Sequence, residues 1–311
     1  MHELYRKHRP RDFDGIVGQP EAVKVLSRFV KDGKVPHAIL LTGASGVGKT
    51  TLARILRKKL GCSSHDYAEV NAADSRGIDS VRDIQNRMSL APINGKCRVW
   101  CIDECHRLTG DAQSALLKTL EDTPNHVYFI LCTTDPHKLL STIKTRCTEI
   151  KLRMLAQDEL CKLVADTITK EVDQKDYLGD EEIEKIAEIA DGSARKSLVL
   201  LGQVIGLDNA DDQMAALQKA DTKRQAIELA RILIDRSGTW EKCAAILKNL
   251  EDDPESVRRL VLGYAQQVVL SGGPRMNRGQ LVLDIFKNNF YDSGIAGLVW
   301  ACREVFADST K

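Results

Sequence analysis

The sequence predicts an α/β fold in which a parallel sheet carries a phosphate-binding loop and helices alone make up the C-terminal half. Three observations predict it. Residues 43–50 read GASGVGKT, the GxxxxGK[ST] pattern, between the apolar run Ala38-Ile39-Leu40-Leu41 and a helical repeat. Residues 98–104 read RVWCIDE, an apolar strand ending in two adjacent carboxylates. Beyond Leu152 the strand-like runs cease and apolar residues recur at helical spacing.

The loop comes first in the argument. A continuous apolar run of this length is a buried parallel strand. After the loop, Leu52, Ile55, Leu56 and Leu60 form a helical stripe, and Gly61 supplies its stop. Strand, glycine loop and helix N-terminus make a nest of N–H groups suited to a triphosphate. Gly43, Gly46 and Gly48 let the backbone approach phosphate oxygens, with Ala44, Ser45, Val47 and Thr51 completing the cradle. Lys49 reaches the β and γ phosphates, and the Thr50 hydroxyl ligates Mg²⁺.

Before the loop, Tyr5-Arg6-Lys7-His8-Arg9-Pro10 is a basic lead-in, and a helix carrying Val23, Leu26, Phe29 and Val30 follows. After it, Tyr67-Ala68-Glu69-Val70-Asn71 reads as a second strand. Ile78, Val81, Ile84 and Met88 then mark a helix from which Arg82 and Arg87 project, on its simplest reading a solvated face. At the acidic strand end, successive side chains diverge. Asp103 can hold Mg²⁺ through its water shell while Glu104 polarises the attacking water. Thr109 offers an N-cap to the Ala112, Ala115, Leu116 and Leu120 stripe. The apolar strand from Val127 to Cys132 leads to Thr133-Thr134-Asp135, where a hydroxyl beside the carboxylates reports on the γ phosphate or simply begins a turn. Residues 148–152 form a last strand after Thr145-Arg146-Cys147.

Composition narrows the class without naming it. Across 311 residues, 45 basic residues balance 44 acidic ones, so any nucleic-acid contact must be a local patch. Nine cysteines, an odd number scattered through apolar segments, suit buried thiols in a reducing compartment. Cys101, Cys105 and His106 do not read as a metal site, because Cys101 falls inside a strand and no second cysteine pair with zinc-like spacing is present. No secretory leader or membrane-length stretch is visible, so the expected location is intracellular, cytoplasmic or nuclear, with no membrane partner.

Several of these segments resemble one family. The Arg9-Pro10 opening with Asp14, Ile16, Val17, Gly18 and Gln19, the phosphate loop, the acid pair and the Thr-Arg-Cys segment are similar to AAA+ sliding-clamp loader ATPase subunits. The likeness is to the bacterial gamma and tau subunits and the replication factor C small subunits. It implies an AAA+ P-loop NTPase with a RecA-like parallel sheet over residues 1–152, a small helical lid domain over 153–207 and a helical collar over 208–311. It further implies that Ile16 and Val17 line the adenine pocket, that Thr134 is a sensor, and that Arg146 enters a neighbouring subunit's ATP site. Residues 192–198, with Arg195, resemble the second sensor on a lid helix. Residues 71–79 resemble a run in which Arg76 restrains Glu104 until DNA binds, and Arg82 and Arg87 would then track the DNA backbone.

The resemblance implies ATP and Mg²⁺ as ligands. The implied partners are a sliding clamp, other loader subunits in a pentameric ring and primer-template DNA. Thr145 stands where the family has serine. The zinc-binding cysteine cluster of bacterial gamma and tau is missing, since Cys62-Ser63-Ser64-His65 runs almost directly into the second strand, and the length leaves no tau-like extension. A compact loader of the phage, archaeal or eukaryotic kind is expected. The alternatives are a fork-remodelling or branch-migration AAA+ motor and a structural ring subunit.

Overall fold

The computed structural model describes residues 3–171, 178–207, 209–235, 238–248, 250 and 253–307. Asp208, at the second expected boundary, lies outside them. The chain divides into two compact units, Met1–Gly206 and Leu207–Lys311.

In the first unit, helices α1 (Leu4–Lys7) and α2 (Pro20–Lys31) precede strand β1 (Ala38–Thr42) and α3 (Lys49–Lys59). There follow β2 (Tyr67–Asn71), α4 (Ile78–Met88), β3 (Arg98–Asp103), α5 (Gly110–Glu121), β4 (Val127–Thr133), α6 (Ser141–Arg146) and β5 (Thr148–Lys151). The five strands pair in parallel in the order β2-β3-β4-β1-β5. Alternation along each strand sends Ile39, Leu41, Cys101 and Ile130 to the face covered by α2 and α3, where Leu26, Leu52, Ile55 and Leu56 meet them. Leu40, Ile102, Phe129 and Leu131 go to the other face, against Val81 and Ile84 of α4, Leu116 of α5 and Ile143 of α6. Burial on both faces is why the inner strands are continuously apolar rather than alternating.

The local stop and start signals work as expected. The Thr109 hydroxyl caps α5 by accepting from the Ala112 N–H, and Gly61, at φ 72°, turns the chain out of α3. β3 ends one residue earlier than the sequence suggests, because Glu104 takes a left-handed φ of 51°. Helices α7 (Gln157–Glu171), α8 (Asp180–Ala190) and α9 (Ala194–Val204) fall in the same compact unit as the sheet.

The second unit is helical: α10 (Ala210–Ile234), α11 (Trp240–Lys248), α12 (Pro254–Ser271), α13 (Met276–Ile285) and α14 (Gly294–Ala307). Residues 207–212 read in the sequence as an acidic, turn-rich boundary, but from Ala210 the chain is helical. Asn209 caps α10 by accepting from the Asp212 N–H at 2.8 Å, and Asp211 and Asp212 lie in its first turn, where negative charge is favourable. Leu229, Leu233, Val257, Val261, Phe286 and Leu298 are fully buried in its core. At the edge of that core Arg258 and Glu255 form a two-pronged ion pair with both bonds at 2.7 Å. Arg258 also donates to the Phe286 carbonyl, and Glu255 accepts from the Phe290 N–H, so the pair fastens α12 to the turn after α13.

The Arg258 hydrogen bonds hold the Glu255 carboxyl down at about 2. Its contribution to stability is therefore complete above about pH 4.5 and is lost as pH falls through about 2. Arg258→Ala, which strands a buried carboxylate, should cost about 3–5 kcal/mol. Arg259→Ala, at an exposed guanidinium, should cost about 1 kcal/mol or less. Amide hydrogen exchange over α12 to α14 in the full chain measures both.

Candidate active site

The loop after β1 is shaped by close approach. Gly43, Gly46 and Gly48 have φ of 148°, 80° and 109°. A Cβ on Gly43 would lie 2.4 Å from the Leu152 carbonyl oxygen, and one on Gly46 would lie 2.1 Å from Ser193 Oγ. Two glycines are thus required by packing inside the protein. At Gly48 a Cβ would meet nothing, so that side of the loop is open to a ligand.

Lys49 is buried at the first position of α3 and donates to the carbonyls of Gly43 and Ala44 at 2.8 and 2.7 Å. Burial lowers its affinity for the proton, with the carboxylates of Glu104 and Asp103 among the groups opposing that shift. Thr50 donates through Oγ1 to Asp103 Oδ2 at 2.8 Å. This bond joins the phosphate loop to the acid pair across the width of β4. The hydroxyl–carboxylate pair, the open glycine and the buried ammonium suit a Mg²⁺–nucleoside triphosphate: Thr50 and Asp103 would hold the metal, and Lys49 would meet the phosphates.

Glu104 is set apart from Asp103 by its left-handed backbone. Its N–H donates to Asp103 Oδ1 at 3.0 Å, and its carboxylate accepts from Thr134 Oγ1 at 3.1 Å. His106 Nδ1 lies 3.4 Å from the same carboxylate and 3.0 Å from Thr133 Oγ1. Burial lowers the pKa of His106, favouring a neutral ring beside Glu104. Ile16 and Val17 line the same cleft as Ser45, Val47, Thr51 and Arg195. Arg195 donates its N–H to the Gly46 carbonyl at 3.3 Å, and its guanidinium lies over the Tyr5 ring at 5.6 Å.

The remaining residues singled out by sequence lie elsewhere. Arg146, at the end of α6, pairs with Glu121 at 2.7 Å and does not line the cleft. Arg76 donates to the Ala73 carbonyl at 3.0 Å and makes no bond to Glu104. On α4, Arg82 and Arg87 pair with Asp79 and Asp83 in their own helix. Cys101 and Cys105 are buried on opposite sides of the sheet, one with α3 and the other with α4 and α5.

Sequence reasoning missed Tyr5, His8 and Arg9, which line the cleft, and His106, which lies against the Glu104 carboxylate. The only signal for the first three was the dense basic and aromatic lead-in, which local pattern alone does not connect to a loop some 35 residues on. Among the described residues no helix is long and apolar enough to cross a membrane.

Comparison with known proteins identifies the group to which this geometry belongs. A family model described as DNA polymerase III, delta subunit, matches residues 18–76 and 66–156. The DNA polymerase III subunit gamma of Buchnera aphidicola (subsp. Schizaphis graminum) is 31% identical over 264 residues, covering 77% of this chain and 72% of that protein. The chain belongs to the DNA polymerase III gamma/tau family.

The members of this clamp-loader AAA+ ATPase family include the Bacillus subtilis subunit tau, 36% identical over 299 residues, or 87% of this chain and 52% of that one. The Escherichia coli subunit tau is 31% identical over 261 residues, 76% of this chain and 40% of that one. The chain therefore spans only about half, or less, of the length of these tau proteins. These relatives are bacterial, so the missing cysteine cluster does not take the chain out of the gamma/tau branch. In structure the chain is similar to the RuvB Holliday junction branch migration motor of Thermotoga maritima, with 23% identity and a TM-score of 0.55 over 86% of this chain and 93% of that one. A point mutant of that RuvB gives 21% identity and a TM-score of 0.59 over 77% of this chain and 86% of that one. This likeness is one of fold: a parallel-sheet P-loop NTPase.

The geometry separates two roles. Glu104→Gln should bind ATP normally, as read by fluorescent-nucleotide titration, but hydrolyse it about 10²-fold or more slowly. Lys49→Ala should lose nucleotide binding itself. Near-normal turnover of the Gln variant would remove Glu104 as the base.

Proposed function

We propose that this chain is the ATPase subunit of a sliding-clamp loader, in which ATP binding opens a ring clamp and hydrolysis releases it onto primer-template DNA. The observation that carries this reading is the joined site: Thr50, on the helix after β1, bonded to Asp103 at the end of β3, and Glu104 bonded to Thr134 just past the end of β4. A structural ring subunit has no use for such an assembly. The matched delta-subunit model is thus weighed against an intact phosphate loop and acid pair.

In this reading Gly46, Val47, Gly48 and Lys49 bind the phosphates, while Ile16 and Val17 face the base. Mg²⁺, held by Thr50 and Asp103, supplies charge neutralisation at the phosphates when bound. Glu104 takes the proton of the attacking water, Thr134 keeps that carboxylate oriented, and Arg195 on α9 contributes positive charge from the lid. Arg146 lies outside its own cleft, which supports a role in trans, against the ATP of a neighbouring subunit. Residues 153–207 then serve as a lid and 208–311 as a collar in a pentameric, intracellular assembly. Arg76, Arg82 and Arg87 face DNA phosphates, with Arg76 as a switch on Glu104. The RuvB likeness favours a branch-migration motor at the level of fold only, and the Thr145-Arg146-Cys147 segment favours the loader.

A ring clamp together with primed DNA should raise the ATPase rate above either alone, and no response to the pair would set the loader reading aside. Within such an assembly, mixing Arg146→Ala with Lys49→Ala subunits should restore part of the activity that each variant lacks, because an intact loop then meets an intact arginine. Arginines acting this way contribute about 10³ to 10⁵ in rate in GTPases. No rescue in a verified mixed ring would place Arg146 outside catalysis.

The DNA surface has its own readout. Arg82→Ala in every copy should flatten the plot of log affinity against log salt by about 0.9 for each phosphate no longer neutralised. Arg76→Ala should raise the ATPase rate without DNA. An unchanged slope removes α4 from the DNA surface, and an unchanged basal rate removes the switch.

A further inference from the structure

A second basic cleft lies on the other side of the sheet from α4. It has a volume of about 380 Å³ and runs between the N-terminal segment, α3 and the edge strand β2. Six cationic side chains line it, Arg6, Arg9, Arg11, Arg54, Arg57 and Lys58, against one carboxylate, Glu69. In a chain whose net charge is +1, this is a strong local excess of positive charge.

The cations are unequally satisfied. Arg54 holds Glu69 through two bonds of 2.9 Å, and Arg6 pairs with Glu3 at 2.8 Å. Among the described residues Arg9, Arg11, Arg57 and Lys58 have no ion-pair partner. Arg57 lies over the Tyr67 ring at 4.7 Å, and its Nε is buried with no hydrogen-bond partner. Arg9 is half-buried, with Arg54 and Arg195 as like-charged neighbours and Glu69, already held by Arg54, as the nearby carboxylate. By contrast Arg82 and Arg87 are each neutralised by an aspartate on α4.

We propose that this cleft is a second nucleic-acid site, which takes the backbone phosphates of a single strand without reading its bases. Five of its six cations are arginines, whose planar forks match phosphate oxygens in pairs. The only aromatic ring lining it, Tyr67, is already covered by Arg57, so no platform remains on which a base can stack. Binding is therefore sequence-independent and salt-sensitive. The proposal does not depend on clamp loading, and the cleft and α4 lie on opposite faces of the sheet, so their contributions are separable.

The test uses the full chain saturated with a non-hydrolysable ATP analogue, so that the phosphate loop is occupied. Anisotropy of a labelled 12-nucleotide thymidine strand is recorded over a salt series for the wild type and for the double variant Arg11→Gln, Lys58→Gln. Both positions are exposed and lie outside the ATP cleft, and unchanged affinity for the ATP analogue shows that the variant is folded. The variant should bind the strand about tenfold more weakly at low salt, and its log–log salt slope should be flatter by about 1.4, at about 0.7 per single-strand phosphate. An adenosine strand of equal length should bind as the thymidine one does. Linear inorganic polyphosphate should displace the strand, and poly-glutamate of the same charge should do so far less well. A double variant with wild-type affinity and slope overturns the proposal, as does displacement by poly-glutamate equal to that by polyphosphate, which would make the cleft a general polyanion surface.

Discussion

Strand β4 sets the geometry on which the site depends. It lies between β1 and β3, pairing Thr42 with Thr133 on one side and Ile102 with Leu131 on the other. The phosphate loop and the acid pair consequently leave the sheet from strands two positions apart, about 10 Å at ordinary strand spacing. The first turn of α3 bridges that gap by carrying Thr50 to within 2.8 Å of Asp103. The end of β4 itself supplies Thr134 to Glu104. A one-residue slip of a strand in this sheet would exchange the side chains packed under α2 and α3 with those packed under α4, α5 and α6, so the alignment of these three strand ends is enforced by the two cores.

Glu104 shows how the backbone completes what strand pairing begins. Among the described residues it shares a positive φ only with Asp191 and glycines. A continued strand would send its carboxylate to the opposite face from Asp103; the left-handed turn instead puts it beside Thr134 and His106. The conformation is costly for a non-glycine residue, and it occurs where two adjacent carboxylates are turned to different partners, Thr50 and Thr134.

The connection from α3 to β2 also has a physical basis. It is closed by Asp66. Its buried carboxylate accepts from Ser63 and from the backbone N–H groups of Ile93, Asn94 and Gly95. Those bonds hold its pKa well below the usual carboxylate range despite burial. The short connection is thus tied to the loop between α4 and β3 through this one carboxylate.

The strands, the helix caps and the chemistry of the phosphate loop were legible in the sequence, because each is local. Burial writes a continuous apolar run, a cap needs one hydroxyl at a fixed offset, and GASGVGKT states its backbone and its ligand together. The turn-rich reading of residues 207–212 fails from Ala210 on because acidic residues favour both turns and helix starts, and only the length of the helix behind them decides. Distance along the chain hid the rest. Tyr5, His8 and Arg9 reach the cleft because α1 packs on α9, and the six cations of the basic cleft come from two segments, residues 6–11 and α3, brought together by folding. Sequence alone determined which residues form the phosphate-loop pattern and which acids stand at a strand end. Tertiary structure decided which of them meet, since strand order and side-chain direction depend on contacts between residues far apart in the chain.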